Sequence, residues 1–145
     1  MYFEDFAPGQ SFRTASRTLS ETDIIEFARQ WDPQVFHIDP EAAGNSIFGG
    51  LIASGFHTLL TAFNLALEAE IWTEASQGAP GIDNLRWIKP VRPGDVLSVE
   101  MTVVETRPSA SHKDRGYVTW DYQVLEQKAG LVASWRSVLI TLRRP

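Results

Sequence analysis

The amino-acid sequence predicts an α+β domain in which a curved antiparallel sheet wraps around one long central helix. Helical patterns fill the first half of the chain, and alternating patterns typical of strands fill the second half. Short connections between those strands favour antiparallel pairing. The longest helical pattern is apolar on most of its sides, so it needs a sheet to cover it. The chain has 145 residues, about the length of one domain, so we expect a single domain spanning residues 1–145.

The composition narrows the class of function. A formal charge of −5 argues against general nucleic-acid binding, which requires a basic face. The chain has no cysteine, which excludes disulfides, a thiol nucleophile and cysteine-ligated metals. Its amino-terminal residues are acidic rather than basic, and no apolar run is long enough to span a membrane. We therefore expect a cytoplasmic protein with no membrane partner.

The chain opens with a partly exposed strand, predicted over residues 11–19, and a first helix. Ser20 is the predicted N-cap, with acidic residues in the first turn where the helix dipole favours them. The helix should end at Asp32, because Pro33 disfavours a helical conformation in the residue before it. Its predicted apolar face consists of Ile24, Phe27, Ala28 and Trp31.

Two Asp-Pro pairs bracket a short segment, residues 32–40, that we expect to be a stiff non-helical loop. Asp39 is the predicted N-cap of a brief helix that follows. Asp32 and His37 could together orient a water, one accepting its proton and the other directing it. The alternative is structural, with Asp32 capping the chain and His37 bound to a backbone carbonyl.

Residues 48–67 form the most informative stretch, a glycine-rich loop that leads into the long helix. A helix start offers free N–H groups and partial positive charge, so Gly55 is a candidate oxyanion donor. The alternative is that the glycines only turn the chain. One narrow polar stripe, facing either a site or a second copy of the chain, comprises His57, Thr61, Asn64 and Glu68.

The second half contains four predicted strands. They cover residues 82–88, 96–106, 117–125 and 131–142, and the longer ones alternate apolar and polar residues. The exposed sheet edge and the polar stripe together predict a homodimer or higher homo-oligomer with twofold symmetry.

The remaining polar residues give weaker indications. His57 is best interpreted as a core or interface histidine, and His112 lies in a polar loop. The three histidines show no metal-ligand spacing, so no metal or other cofactor is expected. Ser54 precedes Gly55 but lacks the surrounding G-x-S-x-G pattern, which argues against an acyl-enzyme nucleophile.

Three motifs together resemble the MaoC-like dehydratases, relatives of the (R)-specific enoyl-CoA hydratases that have the hotdog fold. They are Asp32-Pro33-x-x-Phe36-His37-x-Asp39, Phe48-Gly49-Gly50-x-Ile52-Ala53-Ser54-Gly55-x-His57-Thr58 and Pro90-Val91-x-Pro93-Gly94-Asp95. The resemblance extends over residues 3–142. It implies a dimer of curved sheets, each wrapped around a central helix.

The resemblance also implies a reaction, the reversible addition of water to a trans-2-enoyl-CoA. Asp32 and His37 would activate the water, and the Gly55 N–H would bind the thioester oxygen. The predicted substrate-binding residues are Ser54, Phe56, His57 and Phe63. Ser54 and Phe63 depart from the short-chain hydratases, which have a histidine and a serine at the corresponding positions.

Two other functions are compatible with the same fold. A hotdog thioesterase would release free CoA from the same thioesters. A non-catalytic acyl-CoA-binding subunit would use the Asp32 and His37 pair only structurally.

Overall fold

The computed structural model describes residues 1–145 and contains four helices, six strands and two short 3₁₀ turns. The helices are α1 (Glu21–Trp31), α2 (Val35–Ile38), α3 (Pro40–Gly44) and α4 (Gly55–Glu68). The strands are β1 (Ser11–Arg13), β2 (Arg17–Thr18), β3 (Asp83–Trp87), β4 (Val96–Pro108), β5 (Arg115–Glu126) and β6 (Gly130–Leu142). None of the helices combines the length and apolar character needed to cross a membrane.

All six strands belong to one antiparallel sheet with the order β1-β4-β5-β6-β3, and β2 also pairs with β4. The predicted α+β class is therefore confirmed. The short link between β3 and β4 suggested that these strands are neighbours, but β3 pairs with β6 instead. This pairing leaves β3 at one edge of the sheet.

The long strands bury the side chains that the alternation predicted. Leu97, Val99, Met101 and Val103 are almost fully buried on β4, as are Val118, Trp120, Tyr122 and Val124 on β5. The predicted first strand is interrupted, because residues 14–16 separate β1 from β2. Thr14 turns inward there, and its hydroxyl accepts a hydrogen bond from the Val99 N–H at 2.9 Å.

Helix α1 begins and ends where the sequence indicated. The Ser20 hydroxyl accepts a hydrogen bond from the Asp23 N–H at 3.1 Å, and Asp32 terminates the helix. The next segment differs from the prediction, since α2 makes one helical turn between the two Asp-Pro pairs. Asp39 caps α3 as predicted, accepting from two backbone N–H groups.

Helix α4 packs on the concave core through one face, which buries Thr58, Thr61, Ala62, Leu65 and Ala66. The prediction that this helix is covered on nearly all sides is wrong for the single chain. An apolar stripe remains 47–57% exposed and consists of Phe56, Leu60, Phe63 and Leu67. The predicted polar stripe is distinct from it, and Arg17 donates to Asn64 and Glu68 within that stripe.

Candidate active site

Asp32 lies at the end of α1, where the backbone leaves the helix with φ −154° and ψ 69°. Both of its carboxylate oxygens accept hydrogen bonds. Oδ1 accepts from Gln34 Nε2 at 2.8 Å, and Oδ2 accepts from the Ser54 hydroxyl at 2.7 Å. The side chain is still 18% exposed, so it remains accessible from the adjacent cleft.

His37 lies on α2 and faces Asp32. Its Nδ1 is 2.7 Å from the carbonyl oxygen of Ile52. A carbonyl only accepts, so Nδ1 carries a proton and Nε2 is the atom available for chemistry. Nε2 lies 3.3 Å from Asp32 Oδ2. The alternative that His37 is bound to a backbone carbonyl is therefore correct for Nδ1. The other ring nitrogen, Nε2, lies beside the Asp32 carboxylate.

The surroundings of Asp32 favour its ionised form. Burial raises the pKa of this carboxyl, whereas the hydrogen bonds donated by Gln34 and Ser54 lower it. The net result is a pKa below the usual value of 3.8 for aspartate. Asp32 is consequently a carboxylate near neutral pH and can accept hydrogen bonds from a water.

The start of α4 supplies unpaired donors. The first helical hydrogen bond at this end runs from the Thr58 N–H to the Ser54 carbonyl at 3.1 Å. The N–H groups of Gly55, Phe56 and His57 find no acceptor within the chain. Together with the helix dipole, these groups favour an oxygen that carries negative charge.

Trp87, at the end of β3, explains why residue 55 is glycine. The indole Nε1 donates to the Gly55 carbonyl at 2.8 Å. A β-carbon at position 55 would lie 2.3 Å from Trp87 Cε2, which is far inside van der Waals contact. The ring also packs edge-on against Phe56, with centroids 5.6 Å apart. Trp87 therefore forms an apolar wall beside the free donors of α4.

These groups share one cleft of about 470 Å³. The Asp32 and His37 pair contributes its polar part, and Gly55 lies on the same surface. The apolar lining includes Phe48, Ile52, Phe56, Trp87, Ile88 and Val91. Such a cleft can hold a small apolar group next to a water that is fixed by a carboxylate and an imidazole.

The structure brings together some of the predicted site residues but not all of them. Asp32, His37, Gly55 and Phe56 line the cleft. Ser54 has no exposed surface, and its hydroxyl points to Asp32, so it lies beneath the cleft rather than in its lining.

Two predicted substrate-binding residues lie elsewhere. His57 lies in a separate polar cleft, where its ring stacks on Phe27 with centroids 4.5 Å apart. Phe63 lines a different, apolar cavity of about 370 Å³. Neither residue lines the cleft that contains Asp32 and His37.

Sequence reasoning missed three residues that support the site. Gln34 donates to Asp32, Trp87 donates to Gly55, and Arg92 donates to the carbonyl of Phe48 at 2.7 Å. Gln34 could have been found from its position two residues after an aspartate that ends a helix. Trp87 and Arg92 reach the site from 32 and 44 residues away, so no local pattern reveals them.

Comparison with known proteins agrees with this architecture. The family model for the MaoC-like domain matches residues 4–127. The chain belongs to the MaoC-like domain family. The fold is that of the MaoC-like dehydratase from Rhodospirillum rubrum, whose crystal structure superposes with a TM-score of 0.94 at 38% identity, covering 100% of this chain and 99% of that one.

Two relatives extend the comparison to curated proteins. An uncharacterized protein, YdeM, of Bacillus subtilis (strain 168) is 36% identical over 108 residues, which cover 74% of this chain and 77% of the relative. The (R)-specific enoyl-CoA hydratase of Rhodospirillum rubrum is 30% identical over 113 residues, covering 74% of this chain and 72% of that enzyme.

Proposed function

We propose that this MaoC-like protein is a hydro-lyase that adds water reversibly to a trans-2-enoyl-CoA. The observation that carries the proposal is the proximity of Asp32 Oδ2 and His37 Nε2, 3.3 Å apart, in a cleft that Gly55 also lines. The Gly55 N–H has no acceptor within the chain. Similarity to an (R)-specific enoyl-CoA hydratase supports it. The substrate class is an acyl thioester.

The proposed mechanism begins with a water that donates to the Asp32 carboxylate and to His37 Nε2. Both groups are acceptors, so the oxygen lone pair of the water is directed away from them toward the substrate. As that oxygen bonds to C3 of the enoyl group, one proton of the water passes to the Asp32 and His37 pair. The double bond shifts toward C1, and negative charge develops on the thioester oxygen.

The Gly55 N–H is the proposed donor to that oxygen. A donor fixed at a helix start needs no reorganisation as charge develops, and it stabilises the enolate more than the ground-state carbonyl. The proton held by the Asp32 and His37 pair then passes to C2, which completes the addition of one water. Dehydration of a 3-hydroxyacyl-CoA follows the same steps in reverse.

A homodimer is part of the proposal. The stripe of Phe56, Leu60, Phe63 and Leu67 adjoins exposed apolar residues around β3, namely Ile82, Trp87 and Ile88. Strand β3 has a partner on one side only. A second copy related by a twofold axis would cover both features with one self-complementary surface. Because Phe56 and Trp87 also line the cleft, the second copy would help to enclose the substrate.

The test is a hydration assay on purified protein with enoyl-CoAs from crotonyl-CoA to longer and branched chains. We expect loss of the enoyl-thioester absorbance and a product heavier by one water with its thioester intact. Asp32→Asn and His37→Gln should each lower kcat at least a hundredfold while remaining folded, since each removes a proton acceptor. His112→Gln, on an exposed loop, is the matched control. Release of free CoA would instead indicate a thioesterase, and binding without turnover would indicate a non-catalytic subunit.

A further inference from the structure

Ser54 occupies the N-cap of α4 but does not cap the helix. A serine at this position ordinarily accepts a hydrogen bond from the backbone N–H two or three residues later. Ser20 does so at the start of α1, whereas the side chain of Ser54 makes no such bond. Its hydroxyl instead donates to Asp32 Oδ2 at 2.7 Å, across 22 residues of sequence.

We propose that Ser54 is a positioning residue, whose buried hydroxyl holds the Asp32 carboxylate against His37 and leaves the donors of α4 free for substrate. The role rests on the proposed hydration of an enoyl thioester. It replaces the sequence prediction that Ser54 itself contacts substrate. A group with no exposed surface cannot touch a ligand in the cleft.

The backbone around Ser54 is well anchored, as a positioning role requires. The Ala53 N–H donates to the Val91 carbonyl at 2.8 Å, and the Ile52 N–H donates to the Phe36 carbonyl at 3.1 Å. Ile52 also accepts the Nδ1 hydrogen bond of His37. One short segment, residues 52–54, therefore orients both His37 and Asp32. Their relative geometry is set by the same rigid backbone.

Ser54 is the only buried donor to Asp32. Gln34, the other donor, lies on the exposed loop that follows α1. The titratable group that faces Asp32 is His37, on α2. Lys89 also lines the cleft, and its ammonium donates to the Ala129 carbonyl at 2.6 Å. The Ser54 hydroxyl is thus the contact whose loss most directly frees the carboxylate to rotate and to take up a proton.

The start of α4 has no side-chain cap because the Ser54 hydroxyl is bound to Asp32. If the Ser54 hydroxyl turned to cap the helix, its oxygen would take up one of the N–H groups that follow Gly55. Binding to Asp32 prevents this. A single side chain therefore orders the carboxylate proposed to hold the water and leaves the N–H groups at the start of α4 unpaired.

The experiment compares Ser54→Ala, Ser54→Cys and the unmodified protein. Titration of Asp32 is followed by carbon NMR of aspartate-labelled protein, with Asp32→Asn identifying the resonance. Hydration is measured across pH with crotonyl-CoA. We expect Ser54→Ala to raise the pKa of Asp32, to move the acid limb of kcat/KM to higher pH and to lower kcat roughly tenfold or more, with KM little changed. Ser54→Cys, with a weaker S–H donor, should fall between the two.

Ser98→Ala is the matched control, since Ser98 is also buried but lies on β4 away from the cleft. An unchanged Asp32 titration in folded Ser54→Ala would overturn the inference, as would a defect confined to KM. If Ser54→Ala does not fold, Ser54→Cys decides the question by the same measurements. Failure of the unmodified protein to hydrate any enoyl-CoA would refute the proposed function, while the NMR titration would still decide whether Ser54 controls Asp32.

Discussion

Replacing Gly55 with alanine tests whether the Trp87 indole fixes the start of α4. The three atoms nearest to a β-carbon added at residue 55 all belong to Trp87, at 2.3, 2.6 and 2.7 Å. The ring must therefore move, because contacts this short do not occur between unbonded carbons. Trp87 is 47% exposed, so it can swing outward, but it then loses its hydrogen bond to the Gly55 carbonyl.

Two effects of opposite sign determine the stability of Gly55→Ala. Overpacking of this kind costs about 1–3 kcal/mol, which includes a lost hydrogen bond of about 1 kcal/mol. Alanine in place of glycine within a helix gains about 0.5–1 kcal/mol. Gly55 does not have a positive φ, so no backbone strain is added. We expect a net loss of up to about 2.5 kcal/mol in the free energy of unfolding.

The decisive measurement is a double-mutant cycle with Trp87→Ala, by urea denaturation at one fixed protein concentration. Once the indole is absent, the clash disappears and only the gain in helix propensity remains. Gly55→Ala should then be stabilising by about 0.5–1 kcal/mol, which reverses its sign. An equal destabilisation in both backgrounds would refute the reasoning that Trp87 is the reason for glycine at this position.

Three further predictions concern the surface of α4. Burial lowers the pKa of His57 below its usual value of 6.5. The unfolded chain therefore binds a proton at this residue more readily than the folded chain does. The contribution of neutral His57 to stability is present above about pH 6.5 and declines as the pH falls. His57→Phe should therefore flatten the dependence of unfolding free energy on pH between 7 and 5. Leu60→Glu should convert the proposed dimer to monomers in light scattering, because it introduces charge into the apolar stripe. Arg17→Ala should cost at most about 1 kcal/mol in thermal unfolding, because its ion pair with Glu68 is exposed.

Each of these predictions has an outcome that would contradict it. An unchanged pH slope in His57→Phe would mean that burial does not control this histidine. Leu60→Glu is compared with Gln123→Glu, an exposed change on β5, and equal masses for the two variants would place the partner surface elsewhere. A loss well above 1 kcal/mol in Arg17→Ala would show that the pair with Glu68 and Asn64 is more than a surface contact.

Local rules predicted most of the fold from sequence. The capping of α1 by Ser20, its termination at Asp32 and the buried faces of β4 and β5 all depend on periodicity or on the residues next to proline, and all were confirmed. The pairing of β3 with β6 was not predicted, because it joins strands with two others between them in sequence. The exposed apolar stripe of α4 was not predicted either. An apolar sequence indicates that a helix is covered, but it does not show whether its own chain or a second copy covers it.

The site was predictable where family motifs named its residues and not where it depends on long-range contacts. Asp32, His37 and Gly55 do lie in one cleft, although their catalytic roles stay predictions. Ser54 was predicted to bind substrate because it precedes Gly55 in the motif, yet its proposed role depends on the Asp32 carboxylate, 22 residues earlier. His57 and Phe63 share α4 with Gly55 but line other cavities. His57 lies on a different face of the helix, whereas Phe63 shares the face of Phe56 and lies about two turns further along the axis.

The free donors at the start of α4 also limit how this protein could be engineered for heat resistance. Stability design commonly adds an acidic or capping side chain to the first turn of a helix, and here it would find three unpaired N–H groups, at Gly55, Phe56 and His57. A carboxylate introduced there would occupy the place proposed for the thioester oxygen. We therefore expect variants selected only for thermal stability to lose turnover at this helix, and thermostabilising changes to be better directed to exposed turns of the sheet.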